Sequence, residues 1–368
     1  MPFRKISLHG ALFLLTFASV TFTCMMYAAP NLDDFWGSVL QGLPFSALLM
    51  LFLTAHEFGH YIAARRHGVA ATLPFYLPMP FMLFGTLGAV IRIKSQIPSR
   101  RALFDIGVAG PLAGFVVALA YLIIGMATIP GSESLYAFHP EYRGLAVLPE
   151  GGMHFGGFLL YDLLQSLLIS PGQFFPPTNE MYHYPFLCMG WFGMFVTAIN
   201  LLPIGQLDGG HILYALVGRH QKTISKWALR ILILIGLGGI GQMLLEATRF
   251  ASDDPFYETL RTIFGPPMEW VAANASWWFS GWMGWLLWAG ILRFLIPVAH
   301  PSLPDERPLD RRRMVIGWLS ILIFLLTFSV VGIYELPLQP AQQQQSSPAV
   351  VVMNGVVPPP RLSPFPGP

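Results

Sequence analysis

The chain has 368 residues, 54% of them hydrophobic and 11% charged, with a formal net charge of +2 and a mean hydropathy of +0.57. This excludes an ordinary soluble globular protein, and the small charge excludes a nucleic-acid binder. The two cysteines, Cys24 and Cys188, sit in apolar runs and exclude a disulfide framework or a thiolate metal site.

What remains is an all-α polytopic membrane protein with the lipid bilayer as its solvent. The first apolar run, about 8–29, follows "MPFRK" and resembles a signal peptide. Roughly 20 residues suffice to cross a hydrocarbon core, so it is expected to stay as a helix. Further runs fall at about 43–64, 103–129, 186–217, 227–245, 277–297 and 314–334, for seven expected spans. Region 67–101 has too much proline and glycine for a clean helix; 130–185 holds one short apolar piece, "FGGFLLYDLLQSLLI", read as re-entrant or interfacial. The organisation expected is a first helix and loop (1–42), a catalytic membrane core (43–220), three further helices (221–336) and a disordered Pro/Gln-rich tail (337–368). With seven spans, all Lys and Arg except Arg143, Arg249, Arg261 and Arg361 fall on one side. That predicts a cytoplasmic N-terminus and an extracytoplasmic tail. A bacterial cell membrane is the most economical host for a compact chain with no transit peptide, with an organellar membrane as the alternative. Oligomeric state is not legible.

Within the second span, "TAHEFGH" places His56, Glu57 and His60 where burial of ionisable groups costs about 2.5–3.5 kcal/mol each. A bound metal ion supplies compensation. Positions i and i+4 share one helix face, so His56 and His60 can grip one ion, while Glu57 is free to accept a proton beside it; this is the H-E-x-x-H pattern of zinc peptidases. A catalytic zinc takes three protein ligands. Asp208 is the acidic residue lying well inside an apolar run of the first four spans, in "NLLPIGQLDGGHIL", at matching depth; His211 on the same face is the competing third ligand. The alternative is a metal-ion or proton transporter using the same His/Glu/Asp cluster, although such a protein would carry polar residues through more spans. The other histidines, His9, His67, His139, His154, His183, His220 and His300, lie in loops or at span ends and read as surface residues.

"HEFGH", "GTLGAVIRI", "DIGVAGPLAGF" and "NLLPIGQLDGGHIL", spread over about 45–220, together resemble the site-2 protease family of intramembrane zinc metalloproteases. No loop offers room for a PDZ insert, as in the compact members. The resemblance implies one zinc ion per chain, with His56, His60 and Asp208 as ligands and Glu57 as catalytic glutamate. Asn200 and Pro203 match the family's fourth-span motif. The implied reaction is peptide-bond hydrolysis in or near transmembrane segments of membrane-anchored protein substrates.

Several readings follow from the residues. Asn200 lies eight residues before Asp208, about 12 Å along an ideal helix, but "LLPIGQ" is expected to break that helix and bring the amide toward the metal. There it would bind substrate or the developing oxyanion, or else cap groups freed by Pro203. A spanning substrate must be unwound before cleavage. "GTLGAVIRI" reads as a short strand whose Gly85, Thr86, Leu87, Gly88, Ala89 and Val90 would pair with extended substrate; an ordinary re-entrant loop is the plainer reading. Gly107, Gly110 and Gly114 form a smooth face for packing against the metal-bearing helices. Asp105 suits a helix N-terminus and is given no chemistry.

Overall fold

Long apolar runs without water to satisfy the backbone become helices, and the helices here are tied together by small residues and a few buried hydroxyls. The computed structural model describes residues 3–28, 33–145, 147–294, 297, 300 and 302–336. In chain order the elements are α1 (Phe3–Ala28), α2 (Phe35–Arg66), β1 (Phe75–Pro78), β2 (Thr86–Val90), α3 (Arg100–Ala127), α4 (Glu133–Phe138), β3 (Gly152–Phe155), α5 (Leu159–Leu168) and α6 (Pro185–Asn200). There follow α7 (Asp208–Val217), α8 (Gln221–Arg249), α9 (Pro255–Asn274), α10 (Gly284–Phe294), α11 (Arg311–Thr327) and β4 (Ile333–Leu336).

Among the described residues, four helical stretches are long and apolar enough to cross a membrane: Leu8–Ala28, Phe35–Arg66, Arg100–Ala127 and Asp208–Arg249. The last joins α7 and α8 through the 3₁₀ turn Gly218–His220. The expected sixth run becomes the 3₁₀ turn Ser276–Ser280 and the short α10, because the chain straightens at Trp282, whose N–H donates to Val330 O at 3.0 Å. The expected seventh stops at Thr327, and Gly332, with φ of 59°, turns the chain into β4. β4 pairs antiparallel with β3, Gly152 opposite Leu336 and Phe155 opposite Ile333. The proposed tail, 337–368, lies outside the described residues.

The core of the bundle is α2 and α3, packed on each other and on α1, α6 and α7. Asp34 caps α2 by accepting from Gly37 N at 3.0 Å, and Ser99 caps α3 through Ala102 N at 3.2 Å. α1 crosses α2 closely at Gly42, where an added Cβ would meet Thr21 O at 2.6 Å, and the buried Thr21 and Ser46 hydroxyls bond at 2.6 Å. Outer faces stay apolar and exposed, as at Leu14, Leu40 and Leu51, which is the pattern for contact with lipid.

The expected fourth span is broken as its sequence suggests, into two helices. Pro203 has no N–H to give, Gly205 takes φ of 58°, and α6 ends at Asn200 while α7 begins at Asp208. Gly209 and Gly210 let the first turn of α7 lie directly on the carbonyls of Leu201 and Gly205. Carbonyls left over in the break are met from α8: Ser225 Oγ donates to Pro203 O at 2.8 Å and Gln221 Nε2 to Gly205 O at 3.2 Å.

At the basic end of the bundle, Asp105 of α3 accepts from both Arg313 Nε (2.8 Å) and Nη2 (2.7 Å) and from His67 Nε2 (2.8 Å). The carboxylate read as a helix-terminus charge therefore joins α2, α3 and α11. Asp310, which caps α11 through Arg313 N at 3.1 Å, is also paired with the Arg313 side chain, and that guanidinium holds its carboxyl below the usual range.

Candidate metal centre

The H-E-x-x-H segment is helical in α2, so His56 and His60 stand one turn apart on the same face, with Nε2 atoms 3.1 Å from each other. Asp208, the first residue of α7, brings Oδ2 to 3.5 Å from His56 Nε2 and 3.2 Å from His60 Nε2. The three ligand-type atoms lie within 4.8 Å of one another. His56 and His60 are buried, whereas the Asp208 side chain keeps 17% of its exposure and marks the open side of the cluster.

Two independent features fit this donor set to a divalent ion. His60 Nδ1 is 2.7 Å from Ile106 O, an acceptor only, so Nδ1 carries the proton and Nε2 turns its lone pair toward His56 and Asp208. Lone pairs gathered on one point repel unless a cation lies among them. His56 Nδ1 is buried without a hydrogen-bond partner, so no protein acceptor is spent on fixing the opposite arrangement. Two imidazoles and a carboxylate are a borderline-soft, three-donor set of the kind catalytic zinc uses.

α3 supplies the room. A Cβ on Gly110 would run into the His60 imidazole, one on Gly114 would come within 3.2 Å of His56 Nδ1, and one on Gly107 within 3.0 Å of His211 Cβ. Facing them, a Cβ on Gly59 of α2 would strike the backbone at Ala109. The glycine face expected for close packing thus lies directly against both imidazoles. His211 falls outside the 4.8 Å set; its ring packs on His300 with centroids 5.1 Å apart.

Glu57 is buried, and its Oε2 accepts the Ile91 N–H at 2.7 Å. Ile91 follows β2 directly, which brings the expected strand to the glutamate. β2 pairs antiparallel with β1, Val90 opposite Phe75 and Ala89 opposite Tyr76, with a register shift before Pro78. Arg92 exchanges bonds with Thr72, N to Oγ1 at 2.9 Å and O from Thr72 N at 3.0 Å, so its backbone faces the β1 side. Strand alternation then turns Ile91 and Ala89 the other way, to an edge with no partner strand among the described residues. Within the strand, Leu87 and Val90 are exposed and Thr86 Oγ1 braces Leu77 O at 2.9 Å.

Sequence reasoning missed what holds this hairpin. α1 clasps it: Ser19 Oγ donates to Gly85 O at 2.6 Å, Thr23 Oγ1 to Pro80 O at 3.2 Å, and His9 Nδ1 reaches Pro74 O at 2.9 Å. Gly85 has φ of 75°, and a side chain there would meet Ser19 O at 2.6 Å. Tyr76 fixes the other strand through Thr54 Oγ1 at 2.8 Å. The repeated hydroxyls along α1 were the available signal, as was His9, read instead as a surface residue. Asn200, partly buried at the end of α6, forms no hydrogen bond with the cluster among the described residues, and Pro203 lies in the break that follows.

The sequence model described as peptidase family M50 matches residues 44–240, more than half of the chain and the whole of this centre. The probable zinc metalloprotease EGY2, chloroplastic, of Arabidopsis thaliana is 30% identical over 200 residues, 54% of this chain and 33% of its own length. The rice (Oryza sativa subsp. japonica) probable zinc metalloprotease EGY1, chloroplastic, is 31% identical over 213 residues, 58% of this chain and 34% of its own. The Arabidopsis probable zinc metallopeptidase EGY3, chloroplastic, is 27% identical over 243 residues, 64% and 40%. The chain thus spans about a third of the length of the first curated relatives it matches. No solved structure matches. These relatives are chloroplastic by name, which overturns the expectation of a bacterial cell membrane. Economy of a compact chain, on which that expectation rested, carries nothing about which bilayer holds it, and counting Lys and Arg only tells one side of a bilayer from the other.

Proposed function

The chain belongs to peptidase family M50, and from that premise we propose that it is an intramembrane zinc metalloprotease that hydrolyses peptide bonds in or near transmembrane segments of membrane-anchored proteins. The observation carrying this reading is the convergence of His56, His60 and Asp208 from two helices, with Glu57 and a free strand edge beside them.

In this reading His56, His60 and Asp208 hold one zinc ion per chain. When bound, zinc acts as a Lewis acid on the scissile carbonyl and on water. Glu57 takes the proton from the attacking water and returns it to the leaving amine. Its hydrogen bond from Ile91 N leaves the second carboxylate oxygen for that task and ties the base to the strand on which substrate would lie. Within the stretch Gly85, Thr86, Leu87, Gly88, Ala89 and Val90, the free edge of β2 pairs with an unwound segment of substrate by strand addition at Ala89, while Gly85, already bonded to Ser19 and Met79, anchors the start of the strand. Substrate backbone and catalytic base are then both referenced to one strand. Asn200 would donate its amide to substrate or to the developing oxyanion from the end of α6, with Pro203 shaping the adjoining wall. We assign residues 43–220 to the catalytic core and 221–336 to a supporting helical unit, with the whole forming seven crossings once α6, α10 and α11 are counted as spans. The open side of the cluster at Asp208, near the basic flank of α2, supplies water.

The test is cleavage of a tagged single-span substrate by purified protein carrying zinc. Glu57→Gln is expected to keep its zinc and to lose activity by about 10²–10⁴-fold, the usual contribution of a positioned proton acceptor. Retained cleavage by that variant, or zinc movement across liposomes by a protein that cuts no anchored substrate, overturns the reading.

A further inference from the structure

Far from the H-E-x-x-H helix, a second imidazole and carboxylate cluster is built from the loop layer. His139 follows α4, while Glu180 and His183 flank and end the 3₁₀ turn Met181–His183, two residues before α6 begins. α6 has 16 residues, about 24 Å of helix at 1.5 Å per residue, and leads from this cluster toward the break before Asp208.

The donor atoms converge as they do at the first centre. Glu180 Oε2 lies 3.3 Å from His139 Nε2 and 3.3 Å from His183 Nε2, the two nitrogens are 3.1 Å apart, and all three fall within 4.8 Å. Glu180 is 2% exposed and the His183 side chain 5%. A carboxylate so deeply buried is expected to have hydrogen bonds on both oxygens. Oε1 has them, from Tyr142 OH at 3.0 Å and Asn179 Nδ2 at 3.4 Å. Oε2 has none: it is buried and unpartnered, aimed between two ring nitrogens that approach it without hydrogen-bond geometry.

The surroundings repeat the orienting arrangement of metal-bound histidines. Glu141 Oε1 sits 3.0 Å from His139 Nδ1, so that nitrogen donates and Nε2 presents a lone pair to Glu180. Acceptor then faces acceptor, a repulsion relieved by a proton on Nε2 or by a bound cation. The rings are held in place for it: His183 is stacked on Phe138 at 4.3 Å and His139 on Tyr142 at 4.5 Å.

We propose that His139, Glu180 and His183 form a second binding site for a first-row divalent metal ion, zinc being the best match to two imidazoles and one carboxylate. The ion clamps the turn after α4 to the start of α6. His139 and His183 therefore depart from the surface role their loop positions suggest.

The experiment uses the full chain in detergent micelles and Zn²⁺ alone as probe. In a His56→Ala/His60→Ala background, equilibrium dialysis at micromolar zinc is expected to leave one ion per chain. Adding Glu180→Gln or His139→Gln, the latter at the more exposed ligand and so least able to disturb folding, is expected to weaken binding at least about 100-fold. Glu141→Gln is expected to weaken it roughly 10-fold through loss of the orienting carboxylate. Absence of zinc in the His56→Ala/His60→Ala protein, while the unaltered chain binds one ion, overturns the proposal. So does an ion that survives both Glu180→Gln and His139→Gln. If removing His56 and His60 leaves the stoichiometry unchanged and Glu180→Gln still releases zinc, the membrane-embedded centre fails and this site stands.

Discussion

His56 and His60 meet Asp208 among the helices; His139 and His183 meet Glu180 in the loop layer at the far end of α6. The donor types are identical, yet the carboxylates around them are spent differently. At the loop cluster Glu141 is engaged with His139, and Glu180 is braced through Oε1 by Tyr142 and Asn179 while Oε2 belongs to the ligand set, so neither carboxylate is left over as a base. At the helical cluster Glu57 stands outside the ligand set, held by one backbone N–H from a strand with a free edge. A ligand set alone marks a metal site. In the proposed reading, a spare base and a place for extended peptide beside it distinguish a hydrolytic one.

Exchanging one carboxylate ligand in each cluster breaks this comparison most directly. Asp208→Ala is expected to empty the helical centre and cut kcat/KM by at least about 10³-fold, since both the metal and its Lewis acidity go. Glu180→Gln should cost less than roughly 10-fold in the same assay and show its effect in zinc content, because loss of a metal clamp acts on the folded ensemble. Equal losses of activity would mean that the two sites are not divided between chemistry and structure as argued.

The packing that admits the imidazoles gives the next effect. Gly110→Ala places a methyl group against the ring of His60, and α2 and α3 must separate to hold it. A displacement of about 1 Å at a catalytic constellation costs on the order of 10²-fold in rate. Cleavage assays with zinc content measured alongside check this; near-normal kcat would show that the centre tolerates more slack than the glycine face implies. Among the described residues no comparable glycine constrains the loop cluster, whose rings are fixed by aromatic stacking.

How much of this was legible depends on the range of the interactions. The His56/His60 pair is local, one helical turn, and charged residues in an apolar run cannot be mistaken for ordinary lining. Asp208 stood out for the same reason and was preferred over His211 on sequence; the packing of His211 on His300 is tertiary and was not legible. The break at Pro203 was visible, but Gln221 and Ser225, which seal it, come from the next helix and look like loop polarity in sequence. The hairpin clasp by Ser19 and Thr23 was hidden because hydroxyls occur freely in membrane helices. His139 lies more than forty residues before His183, with no period linking them, so only tertiary structure joins the loop cluster. Hydropathy, finally, counts apolar length and overlooks the straightened chain at Trp282, which is why the sixth run shortens to α10.

The strand edge separates the two clusters in a third way: β2 reaches Glu57 through the adjoining Ile91 N–H, whereas the loop site is tied through Asn179 to Pro149 O and Gly151 O just before β3. Ala89→Pro removes an N–H from the unpaired edge of β2 and spares the side bonded to β1. Loss of one main-chain hydrogen bond to substrate, worth about 0.5–1.5 kcal/mol, should raise KM roughly 2- to 10-fold with zinc content unchanged. An unaltered KM would remove β2 as the substrate platform and leave Glu57 as its only link to the centre.

The smallest effect is expected at Asp105, which, unlike Glu141 at the loop cluster, hydrogen-bonds no proposed metal ligand. Its carboxylate takes two bonds from Arg313 and one from His67, but the pair is only partly buried, with side-chain exposures of 24% for Asp105 and 31% for Arg313. Solvent at that level screens the attraction, so the bidentate geometry should contribute no more than about 1 kcal/mol. Asp105→Asn keeps the side-chain shape and removes the charge. A fall of roughly 1–3 °C in Tm is expected at low salt, shrinking as ionic strength rises past the point where the Debye length drops below about 10 Å. Zinc content should not change, because Asp105 hydrogen-bonds none of His56, His60 or Asp208 and acts by holding α11 and the end of α2 against α3. A loss of zinc without a loss of thermal stability would show that this network reaches the metal ligands through the start of α3, and would place Asp105 among the residues that position the centre.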